Sequence, residues 1–262
     1  QIKRIDLPPR LVSIGNYAFY ECSGLQEVRL GPVRSIGMSA FYHCRELAAI
    51  NLEDTRITTL RSATFSECKA LPVVILPETL QTVETEAFEA CESLETAVFF
   101  SDHVAIQSKA FDNCIGLKYM IFAKGVPASF GESVLGETAR TPDGRYYISG
   151  YRETLSRPIP YPTLLYTAAF ASEWAPNGET EWNGYPIQQI SQEELAALLA
   201  EARGKTAPAE VTPSPTPLPE STQKLSADTS ADDGWVAKAL VLAIVMIGVA
   251  IAVLFVRKKQ DK

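Results

Sequence analysis

The sequence lacks the residue clusters on which most enzymes depend. It contains only two histidines, His43 and His103, and they follow no metal-ligand spacing. It has no glycine-rich phosphate-binding motif, no serine elbow and no paired-cysteine zinc motif. Because catalysis needs a convergent set of titratable or nucleophilic groups, we expect no enzymatic activity, no cofactor and no bound metal.

Positive charge is also scarce. The 24 Lys and Arg residues are outnumbered by 31 Asp and Glu residues, which gives a net charge of −7. Such a chain repels phosphate, so we expect no nucleic-acid partner. There is no Asn-x-Ser/Thr glycosylation sequon. The apolar share of 46% is too high for a wholly disordered chain, so the 262 residues include a folded core.

The five cysteines mark an internal repeat. Their positions differ by 22, 24, 23 and 23 residues. A Phe always lies three residues before the Cys and a Leu three residues after it, and each unit reads approximately Ile-Gly-x-x-Ala-Phe-x-x-Cys-x-x-Leu-x-x-Val-x-Leu. The cysteines are Cys22, Cys44, Cys68, Cys91 and Cys114. A period near 23 residues is typical of units that stack into a solenoid.

Each unit changes its hydrophobic period along its length. Ala, Phe, Cys and Leu recur at roughly helical spacing and predict a short helical turn with one buried stripe. The two apolar residues that end each unit alternate, as in Val28-x-Leu30, and predict a short strand. We therefore expect one strand and one turn per unit, with like residues stacked in ladders.

The repeat resembles the BspA-like class of leucine-rich repeats, which is found on bacterial surfaces. The match runs from about Ile5 to Phe122. The resemblance implies an α/β-type leucine-rich repeat solenoid with a curved parallel β-sheet, short helical or irregular convex turns and extracellular display. It also implies adhesion or recognition rather than catalysis. Residues 5–8 look like the strand end of an earlier unit, so we expect the solenoid to continue upstream of Gln1.

The cysteines are interpreted as small buried apolar residues, since each occupies the same place in its unit. Stacked positions could also come within disulfide reach, so an oxidised pair stays open as an alternative.

The residues flanking the buried Val28-type position should point out of the sheet and form a ligand-binding face. The first units present charge on this face, whereas the third to fifth units present an apolar strip. A large exposed apolar strip marks a contact, so we expect a partner or the C-terminal flank to cover it. The candidate ligand-binding residues are Glu27, Arg29, Asn51, Val73, Ile75, Val98, Tyr119 and Ile121.

The repeat register ends after Phe122, and the following segment is rich in aromatic residues and is interpreted as a cap. Asp143-Gly144 and Asn177-Gly178 predict hairpin turns. Trp174, Trp182 and Tyr185 are an alternative carbohydrate-binding set, although aromatic residues in a cap are more often core. Ser191 and Glu194 form a capping box, which predicts a short helix that ends at Gly204.

The C-terminal region predicts a stalk and a membrane anchor. Alternating prolines within residues 206–233 favour an extended chain. Ala239 to Val256 contains no charge over 18 residues, which suffices to span a lipid bilayer as a helix. Trp235 precedes this stretch and Arg257 begins a basic tail, so the positive-inside rule places the C-terminus in the cytoplasm and the repeats outside. A covalent cell-wall link at the motif that begins with Leu218-Pro219 is a minor alternative.

The predicted domains are the solenoid (1–122), an irregular C-terminal cap ending in a short helix (123–204), a disordered stalk (205–234), a transmembrane helix (235–256) and a cytoplasmic tail (257–262). We expect a membrane-anchored surface protein that binds a protein or glycan ligand. The alternatives are a structural surface component without a specific ligand, or the anchor portion of a larger surface enzyme.

Overall fold

The computed structural model describes residues 2–136, 138–140, 146–148 and 159–206. The chain divides into two units, 1–210 and 211–262, and every described residue belongs to the first. The predicted transmembrane helix and cytoplasmic tail, and the predicted stalk beyond Thr206, lie outside the described residues. Within the described ranges, no helix is both long enough and apolar enough to cross a bilayer.

Eighteen short strands account for most of the regular structure of the described part. They are β1 (Arg4–Asp6), β2 (Ser13–Ile14), β3 (Glu27–Arg29), β4 (Ser35–Ile36), β5 (Ala49–Ile50), β6 (Thr59–Leu60), β7 (Val73–Leu76), β8 (Thr82–Val83), β9 (Thr96–Phe99), β10 (Ala105–Ile106), β11 (Tyr119–Phe122), β12 (Ser129–Phe130), β13 (Thr138–Arg140), β14 (Tyr146–Ile148), β15 (Ile159–Pro160), β16 (Thr163–Thr167), β17 (Glu181–Trp182) and β18 (Tyr185–Ile190). Two 3₁₀ turns (Leu52–Asp54 and Ala168–Phe170) and two helices, α1 (Ala171–Trp174) and α2 (Gln192–Thr206), complete them.

Each repeat contributes two parallel strands, where the sequence predicted one. The predicted strands form one series, β1-β3-β5 and then, after a break, β7-β9-β11. The residues around Ile-Gly, at the start of each unit, form a second series of strands, β2-β4-β6-β8-β10-β12. Strands of two residues, such as β4, are too short to produce an alternating pattern that the sequence would reveal. The predicted parallel solenoid is confirmed, with two series of strands instead of one.

The segment that carries the repeat Phe and Cys is a chain of turns, so of the two predicted forms, helical or irregular, the irregular form is the one found. The hydrogen bonds from Cys44 N to Phe41 O and from Leu47 N to Cys44 O link residues three apart, which explains the helix-like spacing. However, Ser39 and His43 have φ of 52° and 57°, and the other complete units repeat this pair of positive φ angles. A left-handed residue cannot continue a right-handed helix, so each segment bends instead of coiling.

Stacked phenylalanines form the centre of the core. Phe41, Phe65, Phe88 and Phe111 are fully buried, and neighbouring ring centroids lie 5.0–5.5 Å apart. The ring planes are within 19° of parallel. The backbone N–H of Phe88 also donates to Ala110 O of the next unit at 2.8 Å. The turns are therefore joined to each other as the strands are, and the core is continuous from unit to unit.

Both strand series continue past Phe122, where the sequence pattern ends. Phe130-Gly131 aligns with the Ile-Gly of the repeat, and β12 pairs with β10. Leu135 takes the place of the repeat phenylalanine and is fully buried. β16 pairs in parallel with β11, and β18 with β16. The residue types change here while the backbone path is kept, so the sequence signal ends before the solenoid does.

The cap contains a hairpin at a different Asn-Gly pair from the one predicted. β17 and β18 are antiparallel and are joined through Asn183 and Gly184, with φ of 49° and 79°. A two-residue hairpin turn of this kind needs positive φ at both positions, which Asn and Gly adopt most readily. Asn177-Gly178 instead follows α1 in a turn. β13 and β14 do pair around the predicted Asp143-Gly144 turn, whose own residues lie outside the described ranges.

The stacked core makes a stability prediction. We expect Phe88→Ala to lower the free energy of unfolding by about 3–5 kcal/mol, because it opens a cavity between the rings of Phe65 and Phe111. Tyr20, whose side chain is 43% exposed, supplies the control, and Tyr20→Ala should cost less than about 1 kcal/mol. Urea unfolding followed by circular dichroism measures both, and an equal effect of the two substitutions would contradict the stacked core.

Candidate ligand-binding surface

The predicted ladders on the outer face of the first sheet exist and are in register. Arg4 pairs with Glu27, and Asp6 with Arg29. Further along, Ile75 pairs with Val98 and Val98 with Ile121. Successive strands therefore place side chains from different repeats side by side on one surface.

At the charged end of this face, the arginine and carboxylate side chains form ion pairs with each other. Arg4 Nη1 lies 3.3 Å from Glu27 Oε1, and Arg29 Nε lies 3.3 Å from the same oxygen. Asp6 lies 3.3 Å from Arg4 and 3.7 Å from Arg29. The two arginines and two carboxylates balance, so this surface offers exposed but already paired groups to a ligand. Exposed pairs of this kind add little to stability.

Asn51 has a structural role at the break between β5 and β7. Its Nδ2 donates to Leu30 O at 3.0 Å, and its Oδ1 accepts from Leu30 N at 2.7 Å. Nδ2 also lies 2.7 Å from Asp54 Oδ2. The Asn51 amide thus forms hydrogen bonds with the backbone of the preceding unit, at the point where the 3₁₀ turn Leu52–Asp54 interrupts the sheet. Both of its polar atoms are engaged within the protein, so Asn51 is a poor candidate for binding a ligand.

The predicted apolar strip is buried. Val73, Ile75, Val98 and Ile121 are each at most 2% exposed. They pack with Leu165 and Ile190 against one face of α2, which presents Leu195, Leu198, Leu199 and Ala202. The C-terminal flank therefore covers the strip, which was one of the two predicted alternatives, and these four residues are not accessible in this structure.

α2 is fixed at both ends by polar contacts. The predicted capping box is present: Ser191 N donates to Glu194 Oε2 at 2.7 Å, and Glu194 N donates to Ser191 Oγ at 3.1 Å. Hydrogen bonds to the ionised carboxylate from the Ser191 backbone N–H, and then from the Ser191 side chain, lower the pKa of Glu194. The helix continues to Thr206, two residues past the predicted end. Near that end, Arg203 pairs with Glu53 at 3.0 Å and Lys205 with Glu95 at 3.1 Å.

An open cleft of about 230 Å³ lies where α2 meets the sheet. Tyr119, which is 38% exposed, forms part of its wall. Val73, Leu198 and Ala202 supply apolar surface, and Thr96 adds a hydroxyl. The charged lining residues are Glu95, Lys118, Glu201 and Lys205. Of the predicted ligand-binding residues, Tyr119 is the one that combines exposure with a concave surface.

Glu95 connects the two sides of this cleft. Lys118 Nζ donates to Glu95 Oε1 at 2.7 Å, and Lys205 Nζ, from α2, donates to Oε2 at 3.1 Å. The hydrogen bonds from Lys118 and then Lys205 lower the pKa of Glu95. The pKa of Lys205 is raised by its hydrogen bonds with Glu201 and then Glu95. The ionised form of Glu95 thus helps to hold the end of α2 on the sheet.

The alternative aromatic set belongs to the core of the cap. Trp174 is 1% exposed, and its ring centroid lies 5.1–5.5 Å from those of Phe122, Tyr166 and Trp182. Tyr185 is 6% exposed and stacks on Tyr161 at 4.7 Å, and burial raises the pKa of its hydroxyl. Trp182 is half-buried against Phe130. These rings close the end of the solenoid and offer no continuous open platform for a sugar.

An exposed aromatic cluster that the repeat pattern did not predict lies on the turn segments of the first two units. Tyr17 is 54% and Tyr20 is 43% exposed, and their rings meet edge to face at 5.8 Å. Tyr20 stacks on Tyr42 at 5.0 Å, and Met38 Sδ lies 3.8 Å from Tyr17 Oη. The available signal was that Tyr20 and Tyr42 occupy the same repeat position, directly after the buried phenylalanine.

The cysteines are all reduced, and four of the five are buried. Each buried thiol points toward the preceding unit, so that Cys68 Sγ lies 3.2 Å from Phe41 O and Cys114 Sγ lies 3.0 Å from Phe88 O. Burial raises the pKa of Cys44 to about 12, and those of Cys68 and Cys114 well above the usual value. Cys22 differs from them because it is exposed. Within the described ranges, no three His, Cys, Asp or Glu side chains gather as a metal site.

Comparison with known proteins identifies the repeat. Residues 1–118 match the family described as BspA type leucine rich repeat region, in six copies. This match confirms the resemblance read from the repeated Phe, Cys and Leu positions. No curated protein matches the chain.

Three crystal structures are similar to the chain. They are a leucine-rich repeat protein of T. pallidum (27% identity, TM-score 0.43, covering 50% of this chain and 73% of that one), a leucine-rich cell surface protein of Faecalibacterium prausnitzii A2-165 (19%, 0.36, 64% and 56%) and a leucine-rich repeat protein of Bacteroides ovatus ATCC 8483 (23%, 0.35, 71% and 59%). The chain spans less than two thirds of the length of the second and third.

The thiol environments predict selective labelling. We expect a thiol-specific reagent at pH 8 to modify one cysteine per native chain, Cys22, and five after denaturation, because the thiolate is the reactive form. Mass spectrometry of the labelled chain measures the number. Cys22→Ser should abolish labelling of the native chain, whereas fast labelling of two or more sites in the native wild type would contradict the burial of the other four.

The charge on Glu95 predicts that the attachment of α2 depends on pH. The pKa of Glu95 is lower in the folded chain, so its contribution is complete above the unfolded value, about 4.3, and is lost as pH falls through the folded value. We expect hydrogen exchange in residues 199–206 to become faster, relative to β9 and β11, when pH falls from about 6 to about 3, after correction for intrinsic rates. Glu95→Gln should remove most of this change, and an unaltered pH response in that variant would contradict the assignment.

Proposed function

We propose that this chain, whose residues 1–118 form a BspA-type leucine-rich repeat region, is a cell-surface recognition protein that binds a protein or glycan ligand through its ectodomain. The proposed mechanism is non-covalent recognition. A surface or protein-interaction role agrees with the repeat family of the chain.

The observation that carries the proposal is the open cleft beside Tyr119. It combines the aromatic wall of Tyr119, apolar surface from the half-buried Leu198, and charged groups at the rim. Binding sites commonly join an apolar surface that excludes water with a few polar groups that fix orientation. The charged groups at this rim are already paired, since Glu95 accepts from both Lys118 and Lys205, so the ring of Tyr119 is the main group that the cleft offers to a ligand.

A second candidate surface is the aromatic cluster of Tyr17, Tyr20, Met38 and Tyr42. Singly exposed apolar residues need no explanation, whereas a contiguous group of them often marks a contact. Tyr17 also has φ of 58°, a backbone conformation that bulky residues rarely adopt. Other units carry Ser39, Ala63 or Lys109 at this position, so the repeat itself does not require a tyrosine there.

We also propose that the C-terminal segment holds the repeats at a membrane surface. Ala239 to Val256 would span about 27 Å as a helix, close to the thickness of the hydrocarbon layer. Arg257, Lys258 and Lys259 follow this stretch and favour a cytoplasmic C-terminus. The prolines between residues 206 and 233 would keep the ectodomain away from the membrane.

The proposal predicts that substitution at the cleft weakens ligand binding. We expect the full chain, reconstituted in lipid nanodiscs, to bind at least one component of an array of extracellular-matrix proteins and glycans. Tyr119→Ala should weaken that binding at least tenfold, because exposed aromatic anchors dominate many interfaces. Tyr20→Ala, at an exposed tyrosine of the second candidate surface, distinguishes the two sites and should leave the affinity unchanged when the cleft is the binding site.

If Tyr20→Ala weakens binding and Tyr119→Ala does not, the aromatic cluster of Tyr17, Tyr20, Met38 and Tyr42 is the binding surface instead of the cleft. If no array component binds, the recognition proposal fails and a structural surface component becomes the better explanation. An activity that requires a domain outside this sequence would instead favour the anchor portion of a larger surface enzyme.

A further inference from the structure

α2 and the strip beneath it form an apolar cluster of their own. On β7, β9 and β11, alternate residues point to opposite sides of the sheet. Val74, Ala97 and Met120 point into the main core with the stacked phenylalanines. Val73, Val98 and Ile121 belong to the separate cluster with α2. α2 can therefore leave the sheet without opening the main core.

α2 is built to stay helical on its own. Its capping box joins Ser191 to Glu194, both within the helix and its cap, and does not depend on the sheet. Apart from Gly204 and Thr206, residues 192–206 are all strong helix formers. Separation from the sheet would therefore release a segment with a strong tendency to be helical, whose Leu195, Leu198, Leu199 and Ala202 share one face.

The two ends of α2 are held to the sheet in different ways. Ser191 follows β18 directly, so the start of the helix is tied to the sheet by the chain itself. At the other end, the polar attachments are the Arg203–Glu53 and Lys205–Glu95 pairs, whose side chains are 26–52% exposed. Exposed ion pairs contribute little to the free energy that holds two elements together, and dissolved salt screens them.

We propose that α2 is a detachable cover that opens at the junction of Ile190 and Ser191 and controls access to an apolar groove for an amphipathic helix. The floor of the groove consists of Val73, Ile75, Val98, Ile121, Leu165 and Ile190. In the closed state α2 occupies the groove and excludes any other helix. The inference deepens the proposed recognition function, on which it rests, by adding a regulated binding surface beneath α2.

The contacts of α2 define the partner that the groove fits. A competing helix must present aliphatic or small residues with the spacing of Leu195, Leu198, Leu199 and Ala202. Helices bind to such grooves through side chains at this spacing. Two basic residues near its C-terminal end would meet Glu53 and Glu95, as Arg203 and Lys205 do within the chain.

Native-state hydrogen exchange tests whether the cover opens independently. In the full chain, we expect amides of α2 to exchange at least tenfold faster than those of β9 and β11. Raising the salt concentration to about 1 M should accelerate exchange in α2 and leave the strands unaffected, because it screens the two ion pairs. Exchange of α2 and the strands in a single event, at every salt concentration, would overturn the proposal.

A labelled peptide of residues 190–206 tests the groove directly. The full chain carrying Leu195→Ser and Leu199→Ser cannot cover its own groove well, so it should bind the peptide at least tenfold more tightly than wild type. The same peptide with both serines is the control and should not bind. Adding Glu53→Gln and Glu95→Gln to the chain should weaken peptide binding. Equal peptide affinity of wild type and the double-serine chain would overturn the proposal.

A milder variant guards against loss of folding. Arg203→Gln with Lys205→Gln removes the two ion pairs to the sheet and the Lys205–Glu201 pair within α2, so it should raise peptide affinity by about twofold to fivefold over wild type, the size expected of exposed ion pairs. If this variant binds the peptide no more tightly than wild type, the proposal fails. This test does not depend on whether the variant with Leu195→Ser and Leu199→Ser folds. Neither experiment uses an external ligand, so both outcomes are independent of the binding arrays that test the recognition function.

Discussion

Stacking of like residues between successive repeats is the interaction on which the rest of this structure depends. A unit of about 23 residues is too small to bury its own apolar side chains, so Phe65 is buried only because Phe41 and Phe88 lie on either side of it. The same arrangement recurs in the backbone, where each turn donates hydrogen bonds to the next. Burial and hydrogen bonding are thus satisfied between units more than within them.

This dependence explains the residues that depart from the repeat pattern. Thr64 occupies the position of the repeat alanine and is fully buried, and its hydroxyl donates to Arg61 O at 2.6 Å. Its polar group is satisfied locally, so the unit tolerates it. Asn51 similarly satisfies Leu30 where the sheet is interrupted. Each departure is accompanied by a contact that replaces what the regular unit would supply.

Register stacking also decides the chemistry of the outer sheet face. Because strands pair without slippage, a charged position in one unit lies beside the same position in the next, as Arg4 lies beside Glu27. Where the aligned positions are charged, they neutralise each other, and where they are apolar, they build a continuous strip that water disfavours. α2 packs over the apolar strip and shields it from water, and the cleft beside Tyr119 lies at the edge of the area that α2 covers.

The sequence alone determined the repeat, the parallel solenoid and the alignment of the outer ladders, because stacking forces like residues into like environments. It also determined the start of α2, since a capping box is a local feature of Ser191 and Glu194. Tertiary structure decided that the convex segments are turns, because positive φ at Ser39 and His43 depends on backbone geometry that spacing does not report. It also decided which candidate residues are accessible: Val98 and Tyr119 lie on the same sheet face, yet α2 packs over one and leaves the other exposed. A strand pattern fixes the face to which a side chain points, whereas burial depends on what packs against that face from a distant part of the chain.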